Sequence, residues 1–188
     1  FYGYHETGNN VIGNTIKDFF YVGIYMRYQD SFLLENNTIT SLNQSSHVIG
    51  IYLNNTLNEG KVCQNKINLS STSSCTGIYY SGNHSTLIAN NFISIQGYGF
   101  APLYGLNFTY SSNCIITFNS VSIRSNSTYS SYAIYLRNST YRGTYVKNNI
   151  FANYAGGYSM YVRDYSNFAD SLFSDYNNLY SNGSNLVR

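Results

Sequence analysis

The chain reads as an all-β solenoid, a parallel β-helix of about seven coils of 26–29 residues with three short strands per coil. Three observations predict it. A small residue followed by a short alternating strand recurs six times: Gly23-Ile-Tyr-Met26, Gly50-Ile-Tyr-Leu53, Gly77-Ile-Tyr-Tyr80, Gly105-Leu-Asn-Phe108, Ala133-Ile-Tyr-Leu136 and Ser159-Met-Tyr-Val162, spaced by 27, 27, 28, 28 and 26 residues. Between these copies an Asn-x-aliphatic unit recurs seven times, as Asn14-Thr-Ile16, Asn37-Thr-Ile39, Asn65-Lys-Ile67, Asn91-Phe-Ile93, Asn119-Ser-Val121, Asn148-Asn-Ile150 and Asn177-Asn-Leu179. Within each copy the apolar positions alternate with the two-residue period of a strand, not the i, i+3, i+4 spacing of a helix. A fixed period of this length marks a stacked repeat.

Each coil can be taken in order. A short apolar segment comes first, as in Leu33-Leu34, Leu87-Ile88 and Ile115-Ile116. The Asn unit follows and opens a second strand, with paired apolar positions such as Ile67/Leu69, Ile93/Ile95 and Val121/Ile123. The Asn suits a turn, because it tolerates left-handed backbone angles and satisfies polar groups locally. Stacked from coil to coil, its amides can also hydrogen-bond in a ladder. Variable stretches come next, roughly 18–22, 42–49, 70–76, 96–104, 124–132 and 152–158, ahead of the Gly/Ala strand. Insertions on one face of a solenoid often mark a binding face.

If Ile24 and Met26 point inward, Tyr25 points out. The same parity turns out Tyr52, Tyr79, Asn107, Tyr135 and Tyr161, and two places on stand Arg27, Asn54, Ser81, Thr109, Arg137 and Arg163. Tyr25, Tyr52, Tyr79, Asn107, Tyr135, Tyr161, Arg137 and Arg163 are therefore the candidate ligand-binding residues. Two readings stay open for the stripe. Tyr stabilises strand faces by stacking across strands, and aromatic faces flanked by Asn, Ser and Arg also suit a glycan. The loops holding Phe19-Phe20-Tyr21, Tyr98–Tyr104 and Tyr154–Tyr158 would wall this sheet.

Composition narrows the chemistry. The 188 residues are 43% hydrophobic and 10% charged, with net charge +2, 22 Tyr and 11 Phe. A nucleic-acid binder working through a basic stripe is excluded, and no apolar run is long enough to span a membrane. The eight carboxylates Glu6, Asp18, Asp30, Glu35, Glu59, Asp164, Asp170 and Asp175 fall at different coil positions. Glycoside hydrolysis needs two of them facing one substrate, so no catalytic residue is assigned. His5, His47 and His84 show no metal-ligand spacing, and His47 and His84 read as solvent-facing residues near turns. No metal and no cofactor are expected. Cys63, Cys75 and Cys114 read as small buried hydrophobes, with a Cys63–Cys75 bridge left open for an exported protein.

The Gly-Ile-Tyr-Leu and Asn-Asn-Thr-Ile units at this period resemble right-handed parallel β-helix repeats of the pectate-lyase-like superfamily. Lys147–Asn153, Ser174–Tyr180 and Gly183–Leu186 resemble closing coils in β-helix regions of large secreted bacterial surface proteins. The resemblance covers nearly the whole chain and implies an extracellular or cell-surface location. It implies the fold more than an activity, because the superfamily mixes lyases, hydrolases, epimerases and non-catalytic modules. Tyr98-Gly-Phe-Ala-Pro-Leu103 is similar to the Tyr-Gly-Phe-Asp-Pro-His site loop of alginate epimerases. Ala101 and Leu103 replace its Asp and His, so the proton-transfer groups are missing.

Residues 1–188 are expected to form a single β-helix domain, a segment of a longer protein with further domains of the same parent chain, since no capping helix closes either end. No signal peptide is present in it. The expected function is a non-catalytic rigid scaffold of an exported protein, its Tyr/Asn face contacting a polysaccharide or cell-surface glycan. The alternative is a polysaccharide lyase, hydrolase or epimerase whose active-site coils lie partly outside this segment.

Overall fold

The computed structural model describes residues 5–82, 85–110, 112–126, 130–137, 143–163, 172–183 and 186–188. Its described residues carry strands and turns and no helix. Three parallel sheets run along the rod. The first sheet stacks Asn10–Ile12, Leu33–Glu35, Gly60–Cys63, Thr86–Ala89, Ile115–Thr117, Thr144–Lys147 and Leu172–Asp175. The second stacks Thr15–Lys17, Thr38–Gln44, Lys66–Ser71, Phe92–Gly97, Ser120–Ser125, Ile150–Asn153 and Asn178–Ser181. The third stacks Val22–Arg27, Val48–Asn54, Cys75–Ser81, Leu103–Thr109, Ser131–Arg137 and Tyr158–Arg163. Six coils thus contribute to all three sheets. A seventh contributes two strands and one isolated bridge, Met160 to Val187, so the expectation of about seven coils is slightly high. A short pair, Glu6–Thr7 with Gln29–Asp30, lies beside the first coils.

Period-two alternation puts one apolar column from each sheet into a common core. Leu34, Val62, Ile88, Ile116 and Val146 come from the first sheet, Ile39, Ile67, Ile93, Val121 and Phe151 from the second, and Ile51, Ile78, Leu106 and Ile134 from the third, all at most 2% exposed. Because every strand pairs with the strand one coil away, each core side chain packs on its own counterpart. The small residue near the start of the third-sheet strand is required by crowding. A Cβ placed on Gly77 would meet the Gly105 carbonyl oxygen at 2.6 Å and Ile93 Cγ2 at 2.5 Å. Gly50 is confined in the same way by Gly77 O and Ile67 Cγ2, each at 2.7 Å.

The Asn column forms a continuous ladder. Nδ2 of Asn14, Asn37, Asn65, Asn91, Asn119 and Asn149 each donates to Oδ1 of the Asn in the next coil at 2.9–3.1 Å. Asn37, Asn65, Asn91, Asn119, Asn149 and Asn177 also reach back with Nδ2 to a first-strand carbonyl of the preceding coil, as Asn91 does to Val62 O at 2.9 Å. Two expectations are corrected here. The sixth rung is Asn149, not Asn148, because Phe151 is the inward residue and Ile150 is 51% exposed. The left-handed residue is the one before each rung, not the rung itself. Gly13, Asn36, Gln64, Asn90, Phe118, Asn148 and Tyr176 all have φ between 53° and 69°. The rung keeps an ordinary backbone and uses its amide to tie down the turn.

At that column Phe118 and Tyr176 are bulky residues in a conformation that costs L-residues about 1–2 kcal/mol. Phe118 is 57% exposed, so little burial offsets the cost. Phe118→Asn, matching Asn36, Asn90 and Asn148, is expected to stabilise the protein by about 1 kcal/mol. Thermal unfolding checks this; an unchanged or lower Tm would contradict it.

Candidate functional site

The outer face of the third sheet carries the predicted stripe. Strand pairing aligns Tyr25, Tyr52, Tyr79, Asn107, Tyr135 and Tyr161 in one column. It aligns Arg27, Asn54, Ser81, Thr109, Arg137 and Arg163 in the next. Arg27, Arg137 and Arg163 are exposed, and the third-sheet strands contain no other charged residue.

The rings are not spread flat for a ligand. Tyr25 stacks on Tyr52 at 5.0 Å and 20°, and Tyr52 on Tyr79 at 4.7 Å and 26°. Each ring inside the stack spends its faces on neighbours, an arrangement worth about 0.5–1.5 kcal/mol per pair. Because strand side chains stand perpendicular to the sheet, the stack offers ring edges and hydroxyls sideways. Burial, then the neighbouring Tyr79 and Tyr25, push the Tyr52 hydroxyl pKa upward. Among the described residues no further ring is stacked on Tyr25 beyond Tyr52. Tyr25, 52% exposed, lines a concavity of about 640 Å³ with Tyr21, Val22 and Tyr52.

Asn107 breaks the column. It holds Tyr79 and Tyr135 two strands apart, about 9.6 Å, and its Oδ1 is buried with no hydrogen-bond partner. Beyond it the rings form a cluster that the stripe alone did not reveal. A second column, Tyr104, Tyr132 and Tyr158, is aligned by strand pairing. Tyr132 stacks on Tyr104 at 5.3 Å, and Tyr135 sits 4.8 Å from Tyr132 and 5.2 Å from Tyr161. Tyr135 points outward as expected, yet the cluster leaves it only 8% exposed. Burial raises the Tyr104 hydroxyl to about 12. Tyr104, Tyr132 and Tyr158, expected in loops, lie at the starts of strands. The second column was detectable in the sequence as Tyr at the third position before the Tyr of the stripe in two coils, Tyr132/Tyr135 and Tyr158/Tyr161.

Turns flank the sheet on both sides. The row between second and third sheets matches the expected variable stretches but is shorter. Opposite it, a turn of comparable length follows a third-sheet strand at 55–59. In the first row His47 is not solvent-facing. It is half-buried, hydrogen-bonded through Nδ1 to the Ser74 hydroxyl and packed on Tyr21 at 5.8 Å, and burial lowers its pKa. Cys63, Cys75 and Cys114 are all free, so no Cys63–Cys75 bridge forms. Cys75 and Cys114 are buried as expected, each pushed to about 12 by burial; Cys63 is half-buried. His84, Asp164 and Asp170 lie outside the described residues. Among the described residues no three His, Cys, Asp or Glu side chains gather as a metal site would need, and no helix is long and apolar enough to cross a membrane.

The geometry defines a class: a three-sheet parallel solenoid with an Asn ladder at one corner and a polar-rimmed aromatic sheet on one side. The profile of the family described as right handed beta helix region matches residues 2–168. The chain belongs to that family, and its solenoid is a right-handed parallel β-helix, in keeping with the pectate-lyase-like resemblance of its repeats. No curated protein matches the chain, and no solved structure does.

Proposed function

We propose that this β-helix is a non-catalytic binding rod of an exported or surface-held protein, and that the third-sheet face contacts a polysaccharide. The observation that carries the reading is the concavity beside the tyrosine stack. Tyr25 lines it with Tyr21, Val22 and Tyr52, and a sugar ring can pack there against the exposed rings of Tyr21 and Tyr25. From there the polymer follows the row of Tyr hydroxyls beside Asn54, Ser81 and Thr109, which exchange hydrogen bonds with its hydroxyls. The only charged groups on these strands are arginines, so acidic polymers gain over neutral ones, and added salt erodes the gain.

The test is affinity electrophoresis against acidic and neutral polysaccharides. Tyr25→Ala is expected to weaken retention at least tenfold, about 1.4 kcal/mol, with the double variant Tyr52→Ala/Tyr79→Ala as severe. Tyr135→Ala, in the packed cluster, is expected to lower Tm instead. Equal retention of wild type and Tyr25→Ala on every polymer would overturn the reading.

A further inference from the structure

We propose that the turns leaving the third sheet hold a second, separate site: a pocket for one neutral sugar residue, recognised by Thr56 and His5. A recess of about 350 Å³ opens there, at the lower end of the range for small-molecule sites. Tyr28, Asn55, Thr56, Ser81 and Tyr110 line it from four successive coils, and His5 joins them from ahead of the first coil.

Two polar atoms of this lining are buried with no hydrogen-bond partner among the described residues, Thr56 Oγ1 and His5 Nδ1. Thr56 is only 1% exposed. A buried orphan of this kind costs about 1–3 kcal/mol, and native proteins keep few of them. A polar partner lodged in the recess would satisfy both. The recess is large for a single ordered water, whose share of liquid volume is about 30 Å³.

The surroundings specify the partner's chemistry. The described lining offers two hydroxyls, an imidazole, an amide and two tyrosine rings, and no carboxylate, lysine or arginine. Alternating donors and acceptors beside aromatic rings fit a neutral polyhydroxylated ring better than an ion. The rings are held in place. His5 packs edge-on against Tyr28 at 5.6 Å and 89°, and Arg27 donates to the Tyr28 hydroxyl at 2.9 Å. Tyr28, Asn55 and Tyr110 stand in left-handed backbone at φ 54°, 49° and 57°. This is the turn conformation that recurs along the coils. The choice of a sugar as the class rests on the glycan reading of the neighbouring face; the orphaned atoms do not.

The methyl glycosides of glucose, galactose and N-acetylglucosamine are titrated into the full chain by NMR, with thermal unfolding of the ligand-free protein measured alongside. Saturable shifts with at least one glycoside are expected. Thr56→Val keeps the shape and removes the hydroxyl; it should weaken that binding at least tenfold and raise the Tm of the ligand-free protein. Phe118→Asn, at the ladder corner and outside both sites, should leave glycoside binding unchanged. Absence of saturable binding by all three glycosides overturns the pocket, as does full binding by Thr56→Val. Glycoside binding that is lost in Thr56→Val, without polymer retention by the Tyr25 face, upholds the pocket and sinks the face. Polymer retention without glycoside binding does the reverse.

Discussion

Asn91→Leu is expected to destabilise the protein by about 4 kcal/mol. The side chain is 1% exposed and spans three coils. Its Nδ2 donates to Val62 O at 2.9 Å and to Asn119 Oδ1 at 3.0 Å, and its Oδ1 accepts from Asn65 N at 3.1 Å and Asn65 Nδ2 at 3.0 Å. Leucine has similar volume but makes none of these bonds. The four bonds contribute about 1 kcal/mol each net, which sums to the expected loss. Asn14→Leu is the control. Asn14 is exposed and only donates, to Asn37 Oδ1 and Ile12 O, so about 1 kcal/mol is expected there. Urea unfolding of the two variants checks the contrast; equal losses would show that the ladder contributes nothing specific to the interior coils.

Gly77→Val carries the second large effect, a loss of about 3 kcal/mol. The new side chain has to displace the Gly105 carbonyl, which is backbone, and Ile93 Cγ2, which is locked in the core at 0% exposure. A flexible neighbour would yield; this pair cannot without shifting two coils. Gly77→Ala should lose less, and the structure shows where alanine fits: Ala133 occupies the equivalent place in the fifth coil, fully buried. Urea unfolding again measures both, and a Gly77→Val protein as stable as wild type would mean the column is small for some reason other than crowding.

The fold was legible because a solenoid folds its long-range contacts into its period. Ile51 and Ile78 are 27 residues apart and packed neighbours in one column, so spacing alone predicts the pairing. Legibility failed where one letter had two readings. In Lys147-Asn148-Asn149-Ile150-Phe151 both asparagines precede a hydrophobic residue by two places, and choosing an aliphatic partner selected the wrong one. Which residue takes the left-handed angle was misassigned for a related reason: in Asn36-Asn37 and Asn90-Asn91 both residues tolerate it, and only the hydrogen bonds of the second reveal its role.

The candidate site divides the same way. Membership of the Tyr25–Tyr161 column follows from strand parity and was readable. Whether a ring offers its face, its edge or nothing is set by the angle and distance to the next ring, and Tyr25 and Tyr135 have the same pattern position with opposite exposures. Thr56 and His5 could not be singled out at all, since nothing in their spacing, one in a turn and one near the N-terminus, places them on one recess. The sequence by itself determined the period, the three-strand coil, the inward columns and the Asn corner, because each depends only on neighbours one repeat away. Ring stacking, the enclosed Tyr cluster and the orphaned polar atoms were decided by the tertiary structure alone, because they depend on side-chain direction and on turns of several coils converging in space.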